Sequence, residues 1–176
     1  MKYNGVRDLI ILSNYRFGNW VLYKFNIPII KQLLWLIYKI WYKLVIETVL
    51  GSEVPAEAKI GKNFKIEHGG NGVVIHPNAV IGNDVVVYHQ VTIGGFGLAH
   101  FDESYKSENP QKFGAPRIGD KVVIGAGAKI LGPVVIGNGA RIGANAVVLK
   151  DIPMGATAVG IPAKILDNTS KKKRVD

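Results

Sequence analysis

Four histidines, His68, His76, His89 and His100, are the side chains of this 176-residue chain best suited to moving a proton near neutral pH. A neutral imidazole can take the proton of a hydroxyl group, which is the step that acylation of a hydroxyl requires. No cysteine is present, so thiolate nucleophiles, disulfides and thiolate metal sites are excluded. His68 and His89 stand 21 residues apart. They can work as a pair only if the chain repeats with a period that matches that spacing.

Such a period runs through most of the sequence. From residue 54, aliphatic residues begin hexads at Val54, Ile60 and Ile66, at Ile75, Ile81, Val87 and Ile93, and at Ile118, Ile124, Ile130, Ile136, Ile142 and Val148. The second position is often Gly, and the fifth is usually Ala or Val, as at Ala58, Ala79, Val85, Ala128, Ala140 and Ala146. Three hexads make one triangular coil. The aliphatic first residue points inward, the small fifth residue fills beside it, and Gly or Asn relieves the corner. The 21 residues between His68 and His89 then equal one coil of eighteen plus a three-residue insertion in HGGNG, residues 68–72. Both imidazoles are expected on one face, one coil apart, near a strand spacing of about 4.8 Å. A satisfied surface ladder is the structural alternative, and two nitrogen ligands without a third do not make a zinc site. His76, second in IHPNAV, reads as a surface residue, and His100 falls in a polar, Gly- and Pro-containing stretch, 94–117, where no register can be followed. That stretch is expected to protrude at a corner, where loops on rigid scaffolds build sites.

The formal net charge of +9 is concentrated at the ends: residues 1–50 carry seven basic and two acidic residues, 51–170 eleven and ten, and 171–176 four and one. A near-neutral body argues against nucleic acid as a partner. Residues 1–50 read as a helical amphipathic segment, with Lys31, Lys39, Lys43 and Glu47 on one side among Leu33, Leu34, Trp35, Ile37, Trp41, Leu44 and Val45. Its charge-free runs are too short for a membrane span. Two uses of its apolar face stay open, packing on the protein and contact with a membrane surface. Residues 168–176 form a basic tail.

Over about residues 50–167 the chain resembles the hexapeptide-repeat acyltransferases, and within them the serine O-acetyltransferase branch. The resemblance rests on IEHGGNGVVIHPNAVIGNDV (66–85), VTIGG (91–95), IGAGAKILG (124–132) and VGIPAKIL (159–166). It implies a left-handed parallel β-helix over 51–167, a homotrimer with sites between neighbouring prisms, and direct transfer from acetyl-CoA lying along the groove. It also implies that His68 is the general base, oriented by an acid at Glu53, with Glu67 where the family has Asp. Gly95, Ala126 and Ala144 match positions that contact the pantetheine arm, and Lys164 the site for the nucleotide end of acetyl-CoA.

Serine enzymes of this family carry Arg-His-Pro where this chain has Gly114-Ala115-Pro116, and His89 is a further departure. A serine carboxylate would lose its best cation there. The expectation is therefore an acetyl-CoA-dependent O-acetyltransferase of polysaccharide biosynthesis, acting on a sugar or glycan acceptor. His68 and Glu53 are its catalytic pair, and His89 orients the acceptor or serves as alternative base. A backbone N–H near Gly94–Gly95 would meet the oxyanion. Serine O-acetyltransferase is the alternative acceptor reading, and a non-catalytic or metal-binding β-helix is the alternative class. No metal is expected. The location expected is cytoplasmic, and peripheral at the inner face of the membrane if the apolar face of residues 1–50 meets lipid rather than protein.

Overall fold

The computed structural model describes residues 5–95 and 114–166. His100, Lys106, Lys112, most of the 94–117 loop and the basic tail lie outside the described residues. Two helices come first. Helix α1 (Val6–Tyr23) is followed by α2 (Pro28–Trp41), which begins on a proline whose missing N–H is no loss at a helix start and runs on as a wider π-type helix over Tyr42–Val49.

Short strands then wind round three faces. The first holds β1 (Lys59–Ile60), β4 (Val80–Ile81), β7 (Arg117–Ile118) and β10 (Val135–Ile136). The second holds β2 (Lys65–Ile66), β5 (Val86–Val87), β8 (Val123–Ile124), β11 (Arg141–Ile142), β13 (Thr157–Val159) and β14 (Lys164–Ile165). The third holds β3 (Val74–Ile75), β6 (Thr92–Gly94), β9 (Lys129–Leu131) and β12 (Val147–Val148). All pairings are parallel except β13 with β14, which turns back antiparallel at the end. The architecture is a left-handed β-helix.

Register follows the hexads. Ile60, Ile81, Ile118 and Ile136 stack on the first face, Ile66, Val87, Ile124 and Ile142 on the second, and Ile75, Ile93, Ile130 and Val148 on the third. All thirteen hexad starts, with Val54, are buried, as are the small fifth residues. The coils approach so closely that a Cβ at Gly125 would lie 2.7 Å from the Ala144 backbone nitrogen, which explains Gly at the second position.

The helices close the open first coil, whose backbone has no strand beneath it. The Tyr15 hydroxyl donates to the Ala58 carbonyl at 2.9 Å and accepts from the Ile60 N–H at 3.0 Å. Asn19 donates to the Ala56 carbonyl at 2.8 Å, Arg16 to that of Ile60 at 2.9 Å, and the Tyr38 hydroxyl accepts from the Ala56 N–H at 3.0 Å. These side chains satisfy an edge that would otherwise be open to another strand. On α2 only Tyr38 is buried, and Ile29, Leu33, Leu36 and Ile40 are exposed. Among the described residues no helix is long and apolar enough to cross a membrane.

Candidate active site

The chain turns from the second face to the third at the third residue of each second-face hexad. Those residues are His68, His89, Ala126 and Ala144, one per coil along a single edge of the prism. The His68 and His89 rings are edge-to-face, with centroids 5.6 Å apart at 84°, and Tyr88 lies 5.6 Å from His68. His68 is exposed, whereas Nδ1 of His89 is buried with no hydrogen-bond partner among the described residues. The His89 carbonyl accepts from the Gly127 N–H at 3.0 Å and the Ala126 carbonyl from the Asn145 N–H at 2.8 Å, so backbone bonds between coils hold the edge in line.

His68 begins a left-handed turn, with φ of 58° followed by 75° at Gly69 and 66° at Gly70. A β-carbon-bearing residue in this region carries strain of about 1–2 kcal/mol. The HGGNG insertion supplies the glycines that let the turn form, and the first turns of α1 press on it. A Cβ at Gly69 would lie 3.3 Å from Arg7 Cδ, and one at Gly70 2.9 Å from Ile11 Cδ1.

The other sequence-derived residues lie apart from this edge. Glu53 pairs through its backbone with the third face, donating to the Val73 carbonyl at 2.7 Å; its side chain is exposed, and among the described residues no hydrogen bond joins it to His68. Gly95 lies on the next edge, between the third and first faces, where an added Cβ would meet the His76 ring at 2.9 Å and the Gly114 carbonyl at 3.0 Å. His76, read from sequence as a surface residue, is half-buried there and accepts from the Asn78 N–H at 3.1 Å. Lys164 is exposed on β14 at the far end of the prism.

Asp8 is a residue the sequence reading did not single out for chemistry. It is buried in the first turn of α1, and among the described residues neither carboxylate oxygen has a hydrogen-bond partner. Desolvation raises its pKa above the usual carboxylate value. The Gly69 backbone N–H counters that rise; Glu67 adds to it, and His68 and Arg7 oppose it. In sequence Asp8 is one charge at the start of an apolar run, and only the docking of α1 on Gly69 and Gly70 brings it to the turn that begins at His68.

Residues 115–150 match the family model "Bacterial transferase hexapeptide (six repeats)". Over those residues the chain carries the hexapeptide repeat of that family model. This hexapeptide-repeat chain is 47% identical over 118 residues to "Serine acetyltransferase" of Helicobacter pylori, covering 67% of this chain and 62% of that one. It is 44% identical over 126 residues to "Serine acetyltransferase 5" of Arabidopsis thaliana, covering 72% and 36% respectively. The crystal structure of serine acetyltransferase from Vibrio cholerae superposes with a TM-score of 0.71 at 31% identity, over 90% of this chain and 54% of that one. A serine acetyltransferase in complex with CoA gives 0.68 at 31%, over 89% and 55%. The chain thus spans between about a third and three-fifths of the length of these relatives.

These relatives overturn the expectation of a sugar or glycan acceptor and of polysaccharide biosynthesis. The inference rested on Gly114 and Ala115 standing where the family carries a cation and a histidine. In the structure Gly114 has φ of 147°, and a Cβ there would lie 3.1 Å from Pro133. Glycine at 114 therefore reports how the backbone re-enters the prism, and its lack of a side chain says nothing about the acceptor.

Proposed function

We propose that the chain is an acetyl-CoA-dependent O-acetyltransferase whose acceptor is L-serine. The observation that carries this reading is the edge on which His68 and His89 continue into Ala126 and Ala144, a proton acceptor in line with a path of small residues. The serine acetyltransferase names of the relatives support the acceptor.

His68 takes the proton of the serine hydroxyl as its oxygen adds to the thioester carbonyl. Backbone N–H groups near Gly94–Gly95 meet the oxyanion. Collapse expels the CoA sulfur, which receives the proton from His68, and O-acetylserine and CoA result. Ala126 and Ala144 leave room for the pantetheine arm, Lys164 meets the nucleotide end, Glu53 contributes a carboxylate from the neighbouring coil, and His89 orients the acceptor. Gly95 and His68 lie on different edges of one prism, so a ligand touching both sits between two copies; we read the assembly as a homotrimer with shared sites.

The test is thiol release from acetyl-CoA, with and without L-serine. Serine-dependent release in the parent that is lost in His68→Ala supports the reading, and release indifferent to serine overturns it. The exposed apolar face of α2, in a segment of net charge +5, supports a peripheral position on an anionic membrane surface. Salt-sensitive co-sedimentation with anionic liposomes is the expected result, and no co-sedimentation at low salt would refute it.

A further inference from the structure

We propose that Asp8 is a positioning residue for His68, its buried carboxylate stabilising the imidazolium that forms when His68 takes the acceptor's proton. The proposal rests on the acetyltransferase reading above and adds a residue from the helical layer to a site otherwise built from the prism.

The argument begins with the burial of Asp8. A carboxylate in the first turn of a helix complements the helix dipole, and an exposed one does so without losing its hydration. Asp8 is instead only 1% exposed, both its oxygens have no hydrogen-bond partner among the described residues, and the helix start at Gly5 has no side-chain cap bond. A buried carboxylate without partners is unfavourable unless nearby positive charge offsets it. The charged groups that act on it are Arg7 from α1 and Glu67 and His68 from the turn. Glu67 opposes its ionisation. Arg7 is shared, since its Nη2 also donates to the Leu50 carbonyl at 3.4 Å. His68 is the group whose charge changes during the reaction.

Geometry ties the two together. Arg7 and Ile11, flanking Asp8 on α1, pack directly on Gly69 and Gly70, the two residues that follow His68. Moving α1 would release the left-handed turn that presents His68. Glu53, the acid suggested by the family pattern, is exposed and has no hydrogen bond to His68 among the described residues. In the proposed reaction Asp8 exchanges no proton. The acceptor's proton goes to His68 and then to the CoA sulfur, while Asp8 stays ionised.

The sign of the stability effect separates this role from a structural one. The folded-state pKa of Asp8 is raised above its unfolded value, so the folded state holds the proton more tightly. Its contribution is most favourable below the unfolded value of 3.8 and is lost as pH rises through the raised folded value. At higher pH the ionised carboxylate destabilises the fold, and removing its charge should stabilise the protein while harming the reaction.

The experiment compares the full-length parent with Asp8→Asn and Glu53→Gln. It reads the titration of the His68 ring by NMR, the pH profile of kcat/KM, and Tm at pH 8. In Asp8→Asn the His68 titration and the acid limb of kcat/KM are expected to move to lower pH. kcat should fall about tenfold with the KM for acetyl-CoA unchanged, and Tm should hold or rise. Glu53→Gln should move the His68 titration less. An unmoved His68 titration in Asp8→Asn, a larger movement in Glu53→Gln, or a loss of kcat accompanied by a fall in Tm overturns the proposal. The NMR titration does not depend on turnover. If the parent shows no serine-dependent thiol release, the functional reading fails, while the His68 titration still decides whether Asp8 acts on that ring.

Discussion

Two edges of the same prism use the third residue of the hexad in opposite ways. Between the first and second faces this residue is Lys62, Asn83, Asp120 and Asn138 in successive coils, and the polar side chains form a ladder. The Lys62 N–H donates to Asn83 Oδ1 at 2.9 Å, the Asn83 N–H to Asp120 Oδ1 at 2.7 Å, and the Asp120 N–H to Asn138 Oδ1 at 2.8 Å. Each coil is stapled to the next by a side chain acting on backbone. Between the second and third faces the equivalent residues are His68, His89, Ala126 and Ala144, which form no such ladder. The second position differs too. It is Gly61, Gly82, Gly119 and Gly137 along the first edge, but Glu67, Tyr88, Gly125 and Gly143 along the second. Apart from the insertion after His68 the backbone geometry is shared, so side-chain identity at two positions separates an edge bonded to itself from one without such staples.

The largest effect that could break this contrast is loss of the proposed base. His68→Ala is expected to lower acetyl transfer by about 10²- to 10⁴-fold, the contribution of a positioned proton acceptor. Its Tm should fall little or rise, because among the described residues the exposed ring makes no hydrogen bond and takes no part in the prism core. Stopped-flow or continuous thiol-release rates measure the first, and calorimetry the second. If activity survives His68→Ala and disappears in His89→Ala, the working base sits one coil further along the same edge.

Much of this contrast is legible in the sequence because the hexad is a local rule. Ile, Val or Leu-type residues every six positions gave both the buried column and the angular position of every other residue, which is how His68 and His89 could be paired across 21 residues. The histidine–alanine edge follows from the same count. Three things were not legible. The role of Tyr15, Arg16 and Asn19 in closing the first coil depends on contacts about forty residues away in sequence, which no local pattern encodes. Asp8 reaches the His68 turn through the same docking. Gly114 was misread because a missing side chain was taken as a statement about the acceptor, when φ of 147° and the nearness of Pro133 account for it.

A smaller effect sharpens the contrast from the ligand's side. Ala126 is half-buried in line with the histidines, and the proposed path of the pantetheine arm crosses it. Ala126→Leu should raise the KM for acetyl-CoA about tenfold or more, equivalent to about 1.4 kcal/mol, by filling that path. kcat at saturating acetyl-CoA should change little, because the base is untouched. Unchanged KM with reduced kcat would place the arm elsewhere and return Ala126 to plain repeat geometry.

The smallest expected effect belongs to the stapled edge, and it is confined to stability. Asp120 is the middle of the ladder: its Oδ1 accepts from the Asn83 N–H at 2.7 Å and from Asn83 Nδ2 at 3.2 Å, and its own N–H reaches Asn138. Asp120→Ala removes the acceptor but keeps the backbone donor. The Asn83 N–H is then left to find water. The bonds are exposed, so the loss should be about 0.5–1.5 kcal/mol, the net value of an ordinary intramolecular hydrogen bond, and well below the 2–5 kcal/mol expected from Ile130→Ala in the prism core. Denaturant titration resolves that difference if the slope is unchanged. Acetyl-transfer kinetics should be unaltered, since Asp120 stands on a different edge from both histidines and from Gly95. A marked change in kcat or in the KM for acetyl-CoA in Asp120→Ala would mean that the two edges are coupled through the coil between them, and the division of labour drawn from their side chains would fail.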